Sequence, residues 1–462
     1  MRSSPTEACF PRGRPCWWRR IGGRPSPEAN PIGFACVPSR RHETGRRVAI
    51  FSNDLAAVAF ANRRPENGLV CSWVMFEGAG SICPGFLFVS VALSSLSALT
   101  TMSFQSPTRF VIVGLGRHAM AHYIPCLLAC HDACVVGVCE LGSEHARVRR
   151  CLPTIPVFEQ ADRMLNEVQA DAAIVSTPHY LHAQQVALCL RHGLDVFVDK
   201  PLALRAQQAV ALVNESHQAK RLLFTALPGR HSGVNSIFVD TIQAETLGRI
   251  VRLDFAYHRS AYPDFEHSWR NRSEHSGGGV LVDAGHHLAD MLLRFARSPV
   301  ASIRCQVEYE RLRVEVAASV SVRLQDGACG HLRLSLNAPA GSLVHRIELA
   351  GTQGGLSYTR IRAPGSPDLK TLVEFGHQGS RLLPIPVEKN IDVEPLLEFM
   401  RLRAKGVRRV SDLDTDVQVI RFIETAYQSS ASHSERGGYH EQLRRHSSDS
   451  ATALLLAHSA DH

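Results

Sequence analysis

From residue 109 onward, short apolar runs alternate with longer stretches of helical spacing, and this rhythm restricts the fold more than any other feature. The runs RFVIVG (109–114), CVVGVCE (134–140), DAAIVST (171–177), DVFVDK (195–200) and LLFTAL (222–227) are brief and rich in β-branched residues. Between them lie ten or more residues with helical periodicity, as in HAQQVALCLRHG (182–193) and RAQQAVALVNESHQAK (205–220). Alternation of this βαβα kind predicts an α/β fold with a doubly wound parallel sheet.

After about residue 247 the rhythm changes. GRIVRLDFAYH (248–258) reads as a strand, and GGGVLVDAGHHLAD (277–290) leads a helix running to about Arg297. SIRCQVEYE, EVAASVSVRL, GHLRLSLNA, VHRIELAG and pieces around 356–387 then follow closely. Their period-2 alternation predicts an open, mostly antiparallel sheet with one covered face, an α+β arrangement. Helices are expected at 393–405 and about 412–430.

The first hundred residues are unlike the rest. They hold three of the four Trp, and PRGRPCWWRRIGGRPSPEANP has no period, so a low-order, disordered extension is expected there. FLFVSVALSSLSAL (86–99) is shorter than the roughly 20 residues of a spanning helix. It resembles a signal h-region but lies far from the N-terminus with no basic cluster directly before it. Residues 1–101 are therefore expected to be an upstream extension, with Met102 where an ordinary enzyme begins. The polar tail from Ser432 is expected to be mobile.

Charge distribution narrows the partners. Twelve Arg against six acidic residues in 1–101 account for six of the formal +8. The near-neutral remainder offers no basic track for nucleic acid. The thirteen Cys show no C-x-x-C pair or regular spacing. Cys126, Cys130, Cys134, Cys139 and Cys189 read as buried, reduced thiols of a cytoplasmic protein. No membrane partner is expected.

The chemistry begins where strand 109–113 runs into Gly114-Leu115-Gly116-Arg117-His118-Ala119. This is the dinucleotide fingerprint with Ala in the third place. Gly114 permits the tight turn, Gly116 lets a pyrophosphate approach the backbone, and Ala119 allows close helix–strand packing. The helix that follows directs its first N–H groups at phosphate. Glu140, 26 residues past Gly114, ends the next strand, where an acid accepts hydrogen bonds from adenine-ribose hydroxyls. That carboxylate favours NAD, with NADP possible because Arg147 and Ser143 stand nearby in sequence. Thr177 and Pro178 lie at the carboxyl edge of the sheet, where ligands bind in this architecture. His182 reads equally as a site residue or a helix-face residue. Lys200, before Pro201, ends the next strand at the same edge and can reach a substrate oxygen.

In order, Gly114-x-Gly116-x-x-Ala119, Glu140, Thr177-Pro178 with His182, Lys200-Pro201, Trp269, Gly277-Gly278-Gly279 with Asp283-x-Gly285-x-His287, and IELAGTQGGL (347–356) resemble the Gfo/Idh/MocA family of NAD(P)-dependent oxidoreductases, over roughly 108–431. Two features depart from the family pattern. Asp199 stands where Glu precedes the Lys-Pro, and the fingerprint ends in Ala. The resemblance implies a Rossmann dinucleotide-binding domain at 108–227 and an α+β substrate and oligomerisation domain at 228–431, flanked by the extension 1–107 and the tail 432–462. It implies NAD or NADP as cofactor and a small polyhydroxylated substrate, a sugar or cyclitol. Gly114, Gly116, Ala119, Glu140, Thr177, Pro178 and His182 would bind cofactor, and Lys200, Trp269 and Arg270 substrate. A homo-dimer or tetramer is implied as well.

Helical positions four apart share a face, so Asp283 and His287 point together while His286 is turned by roughly 100°. The family pattern assigns such a paired Asp and His to catalysis, with Lys200. Imidazole titrates near neutrality and can take the hydroxyl proton of a secondary alcohol, a carboxylate can orient the ring, and Lys200 can stabilise developing alkoxide charge. His286 and Asp290 are read as a second-face pair or solvent contacts. No HxH or HExxH spacing supplies further ligands, so no metal is expected. The rival reading is a catalytically silent, cofactor-sensing protein on the same fold.

Overall fold

The computed structural model describes residues 107–387, 390–410 and 412–431, together with three short N-terminal strands. Those strands, Arg47–Phe51, Leu55–Ala61 and Glu77–Gly78, pair antiparallel in a sheet of their own. They belong to a unit ending at Ile82, distinct from the unit Cys83–His462 described below. The expectations for the Trp-rich stretch, for 86–99 and for the tail from Ser432 fall outside the described residues.

Six strands form the parallel sheet: β1 (Thr108–Val113), β2 (Ala133–Cys139), β3 (Val157–Phe158), β4 (Ala172–Val175), β5 (Asp195–Asp199) and β6 (Leu223–Ala226). Their order is β3-β2-β1-β4-β5-β6, with every pair parallel. The order reverses between β1 and β4, which opens a crevice at their carboxyl ends. β1 shows why both faces must be covered. Phe110 and Ile112 join one buried cluster, while Val111 and Val113 join the other. One cover comes from far along the chain. Helix Glu394–Ala404 packs on the parallel sheet, with the Phe399 ring 5.7 Å from Phe197 and 6.3 Å from Phe110. Burying such a ring contributes roughly 1.5–3 kcal/mol.

The second sheet contains β7 (Ile250–Arg259), β8 (Val300–Glu308), β9 (Ala317–Leu324), β10 (Cys329–Ser335), β11 (Leu343–Gly351), β12 (Gly354–Arg362), β13 (Leu369–Gly376) and β14 (Gly379–Leu382). Its order is β8-β9-β10-β7-β11-β12-β13-β14, antiparallel except where β7 meets β10. Alternate residues such as Val320, Val322, Leu332, Leu334, Ile347 and Leu349 form the core with Leu288, Leu292 and Phe295 of helix Gly285–Phe295. Helix Asp412–Ala431 serves both cores. Leu413, Val417 and Ile420 pack in the parallel-sheet core, and Val419, Phe422, Ile423 and Ala426 in the other.

The eight described cysteines are all free, and Cys126, Cys130, Cys139 and Cys189 are buried, whereas Cys134 is half-buried. Among the described residues no helix is long and apolar enough to cross a membrane.

Candidate active site

The crevice edge is built from turns that follow β1, β2, β4 and β5. Gly114 adopts φ +85°, and a Cβ there would lie 2.7 Å from Thr177 Cγ2, so only glycine lets the β1 and β4 turns touch. Gly116 is different. The nearest atom to a Cβ there would be the Ser176 carbonyl oxygen at 3.9 Å, so the space over this backbone is open. Ala119 is fully buried in the helical run that follows.

Glu140 follows β2 and lies over the fingerprint loop. Its carboxylate accepts from the Leu115 N–H at 2.6 Å and the Leu141 N–H at 2.9 Å. Arg147 stands beside it, 4.0 Å from Glu140 Oε2, and donates to the Leu115 carbonyl at 2.8 Å. Thr177 leaves its buried Oγ1 without a partner, and Pro178 precedes helix His179–Arg191.

His182 lies behind these turns. It is fully buried, with Nδ1 2.7 Å from the Pro201 carbonyl oxygen and Nε2 2.8 Å from that of Thr177. One turn into its helix, it faces inward and ties the Thr177 turn to the Pro201 turn. His179 faces the site instead. Its Nδ1 is 2.9 Å from the Ser276 carbonyl oxygen, and its ring meets Trp269 edge-on at 4.7 Å. Arg270 in turn lies over the Trp269 ring at 4.5 Å.

At the end of β5, Asp199 receives the hydroxyls of Tyr123 and Ser176. Lys200, next along the chain, donates to the Asp283 carbonyl at 2.6 Å and to Asp283 Oδ1 at 3.1 Å. Arg259, at the end of β7, donates to Asp283 Oδ2 at 2.8 Å. Asp283 is thus clasped by a lysine from one sheet and an arginine from the other. Burial pushes its carboxyl up, but Lys200 and Arg259 outweigh burial and hold it well below the usual range. Burial lowers the Lys200 ammonium, and Asp283 offsets part of that.

The expected Asp283–His287 pairing is not made. The helix is interrupted at Ala284, between Val280–Asp283 and Gly285–Phe295, and the His287 N–H bonds only three residues back, to Ala284, at 3.1 Å. Both Asp283 oxygens are already taken by cations, which attract a carboxylate more strongly than a neutral imidazole does. His287 remains half-buried at the site. Burial and the Lys200 charge push it down to about 3, so its ring is neutral. His286 and Asp290 are a second correction, because neither meets solvent. His286 is buried with Nε2 unpartnered. Asp290 accepts from Arg230 at 2.6 Å, and Arg230 also reaches Asp416 at 2.6 Å.

Two structural partners escaped the sequence reading. Glu315 accepts from the N–H groups of Gly279 and Leu281, at 2.8 and 3.0 Å, and from the Tyr427 hydroxyl at 2.6 Å. A Cβ on Gly279 would lie 2.0 Å from the Glu315 carbonyl oxygen, which explains one glycine of the triplet by close backbone approach. Arg259 was legible by parity. Phe255 faces the core, so Tyr257 and Arg259 share its side of the strand.

Comparison with known proteins matches residues 108–227 to "Oxidoreductase family, NAD-binding Rossmann fold" and residues 239–357 to "GFO/IDH/MocA C-terminal domain". The chain belongs to the GFO/IDH/MocA family. Among its relatives is 1,5-anhydro-D-fructose reductase of Ensifer adhaerens, 27% identical over 42% of this chain and 59% of that protein. The chain thus spans about three-fifths of that reductase's length. Myo-inositol 2-dehydrogenase of Thermotoga maritima is 23% identical over 63% of this chain and 87% of its own. A 3-ketoreductase from Actinomadura kijaniata, solved with NADP and TDP-benzene, shares the fold with TM-score 0.62 and 18% identity, over 70% of this chain and 98% of that one.

GFO/IDH/MocA proteins bind a nicotinamide dinucleotide, and this chain's residues fit one. The open space over Gly116, the left-handed turn at Gly114 and the carboxylate of Glu140 are the features such a cofactor requires. Among the described residues no group of three or more His, Cys, Asp or Glu is placed to hold a metal ion.

Proposed function

We propose that the protein is an NAD-dependent oxidoreductase that interconverts a hydroxyl and a ketone on a sugar, cyclitol or related polyhydroxylated compound. The observation that carries this reading is the Lys200 ammonium, held 2.6 and 3.1 Å from Asp283 at the carboxyl edge of the parallel sheet with His287 beside it. When bound, the nicotinamide supplies the hydride acceptor or donor. In oxidation, Lys200 donates a hydrogen bond to the reacting oxygen and stabilises its developing negative charge. His287, neutral in the free protein, takes the hydroxyl proton on an imidazole nitrogen. Asp283 keeps Lys200 charged and oriented, and Arg259 shares that carboxylate. Gly114, Gly116, Ala119, Glu140, Thr177 and Pro178 hold the dinucleotide. His182 acts behind them by tying two turns together, and Trp269 and Arg270 border the substrate space.

The relatives support the class of compound, since one is named for an anhydro-sugar and another for an inositol. The test is a panel of sugars and polyols followed at the reduced-nicotinamide absorbance band with both cofactors. Turnover of at least one hydroxylated ring is expected. Tight NADH binding with no turnover across the panel would instead favour the silent, cofactor-sensing alternative.

A further inference from the structure

Charge at this site is unbalanced. Lys200, Arg259 and Arg270 are close enough that each depresses or supports the ionisation of its neighbours, and all three act on the single carboxylate of Asp283. Asp283 accepts from Lys200 on one oxygen and from Arg259 on the other. Arg270 feels that carboxylate's charge but forms no ion pair with it. Among the described residues its guanidinium has no carboxylate partner and rests on the Trp269 ring. The Nε of Arg259 is likewise buried without an acceptor. Asp199, which precedes Lys200 in the chain, is engaged by the hydroxyls of Tyr123 and Ser176, and even with Asp199 counted three cations face two carboxylates.

An excess of this kind is costly unless something answers it, because buried or half-buried charges are normally paired. A second ion cluster has the opposite balance. There Arg230 meets Asp290, Asp412 and Asp416, and Arg294 also reaches Asp412. The guanidinium of Arg270 lies over the Trp269 ring with Cζ 4.5 Å from its centroid, and its N–H groups can grip a planar or tetrahedral anion.

We infer that the substrate carries an anionic group, a carboxylate or a phosphate, on its hydroxylated ring, and that Arg270, with Arg259 behind it, recognises that group while Lys200 holds the reacting oxygen. This rests on the proposed oxidoreductase reading, which by itself is indifferent to substrate charge. Neutral sugars and cyclitols would leave Arg270 unanswered, whereas a sugar acid or sugar phosphate would complete the pairing. Arg270 would thus determine specificity and take no part in the proton transfer.

The test separates the two levels. NADH-loaded protein is titrated calorimetrically with matched pairs: D-glucose against D-glucuronate, D-galactose against D-galacturonate, and D-glucose against D-glucose 6-phosphate. The anionic member of at least one pair is expected to bind roughly ten- to hundredfold more tightly, the range of a hydrogen bond to a charged group. The uronate and phosphate arms distinguish carboxylate from phosphate. Arg270→Met should bring that ratio to within about threefold, and Arg270→Lys should restore part of it, since the charge returns without the planar fork. Neutral members binding as tightly as their anionic partners, or a ratio that survives Arg270→Met in a variant with unchanged melting temperature, would overturn the inference. Turnover decides the underlying reading separately. Oxidation confined to neutral compounds would leave the oxidoreductase standing and remove the anion, whereas anion binding without any turnover would do the reverse.

Discussion

Two ion clusters lie along the stretch 279–295, and they are built from the same side-chain types for different ends. Asp283 meets Lys200 and Arg259 where the side chains keep 14%, 18% and 32% of their surface open. Asp290, seven residues later, meets Arg230 and Asp416, with side chains at 2%, 6% and 1%. The open cluster has spare cation, and the Nε of Arg259 there lacks an acceptor. The closed cluster has spare carboxylate, and burial pushes the Asp416 carboxyl up to about 6. Partial exposure and surplus cation suit the proposed ligand site, while the near-complete enclosure of Arg230, Asp290 and Asp416, with half-exposed Asp412 at the rim, suits a fastening between helices. Arg230 in this role joins helix Gly285–Phe295 to helix Asp412–Ala431, the helix that serves both cores.

The contrast is broken most severely at Arg230. Arg230→Met strands two buried carboxylates, and loss of one partner of a buried pair typically costs about 3–5 kcal/mol. A denaturant midpoint lowered far more than in Lys200→Met is expected. Equal losses in the two variants would erase the distinction between fastening and site.

His287→Ala follows, on activity. Removing a proton acceptor is expected to lower kcat by about 10² or more. His286→Ala should instead lower the melting temperature with a smaller effect on kcat, because that ring is buried and faces no open space. A greater kcat loss at position 286 would assign the proton to the other ring.

Much of this was legible in the chain. Apolar runs made the parallel sheet readable, and the glycine spacing marked the crevice edge. The difference between Asp283 and Asp290 was not legible, because each sits beside histidines in the same helical stretch and their partners, Lys200, Arg259, Arg230 and Asp416, are distant in sequence. The placement of His182 was hidden for a related reason. STPHYLH offers two histidines three apart, and only the docking of the helix decides that His179 faces Trp269 while His182 turns inward. The glycine triplet was visible, but Glu315, which pins it, could not be paired with it from local pattern.

Acid stability sharpens the comparison further. Both His286 and His287 are held below the ordinary imidazole value by burial, His287 to about 3. A group with a lowered folded pKa stabilises above its unfolded value, near 6.5, and loses that contribution as pH falls toward the folded value. Each ring should therefore cost roughly 1.4 kcal/mol per pH unit within that window. Melting temperature is expected to fall between pH 6.5 and 4, and less steeply in His287→Gln. An unchanged slope in that variant would show that the ring is not held neutral in the fold.

The smallest expected effect is at the far end of the crevice. Glu140 should favour NAD over NADP by repelling a 2′-phosphate, and repulsion of unit charges at 4 Å is about 4 kcal/mol at an effective dielectric near 20, less after solvent and loop adjustment. Roughly one to two decades in kcat/KM are expected, reduced in Glu140→Ser, where Arg147 would then face the phosphate alone. A wild type that prefers NADP and is indifferent to the substitution would remove Glu140 from the ribose site.

The most direct test of the central claim, that Lys200 acts on the reacting oxygen and not on the cofactor, compares Lys200→Met with wild type by NADH fluorescence titration and by kcat on the same substrate. The expected result is an NADH Kd within about threefold of wild type and a kcat lower by on the order of 10² or more. Near wild-type turnover, or a loss confined to NADH binding, would contradict it.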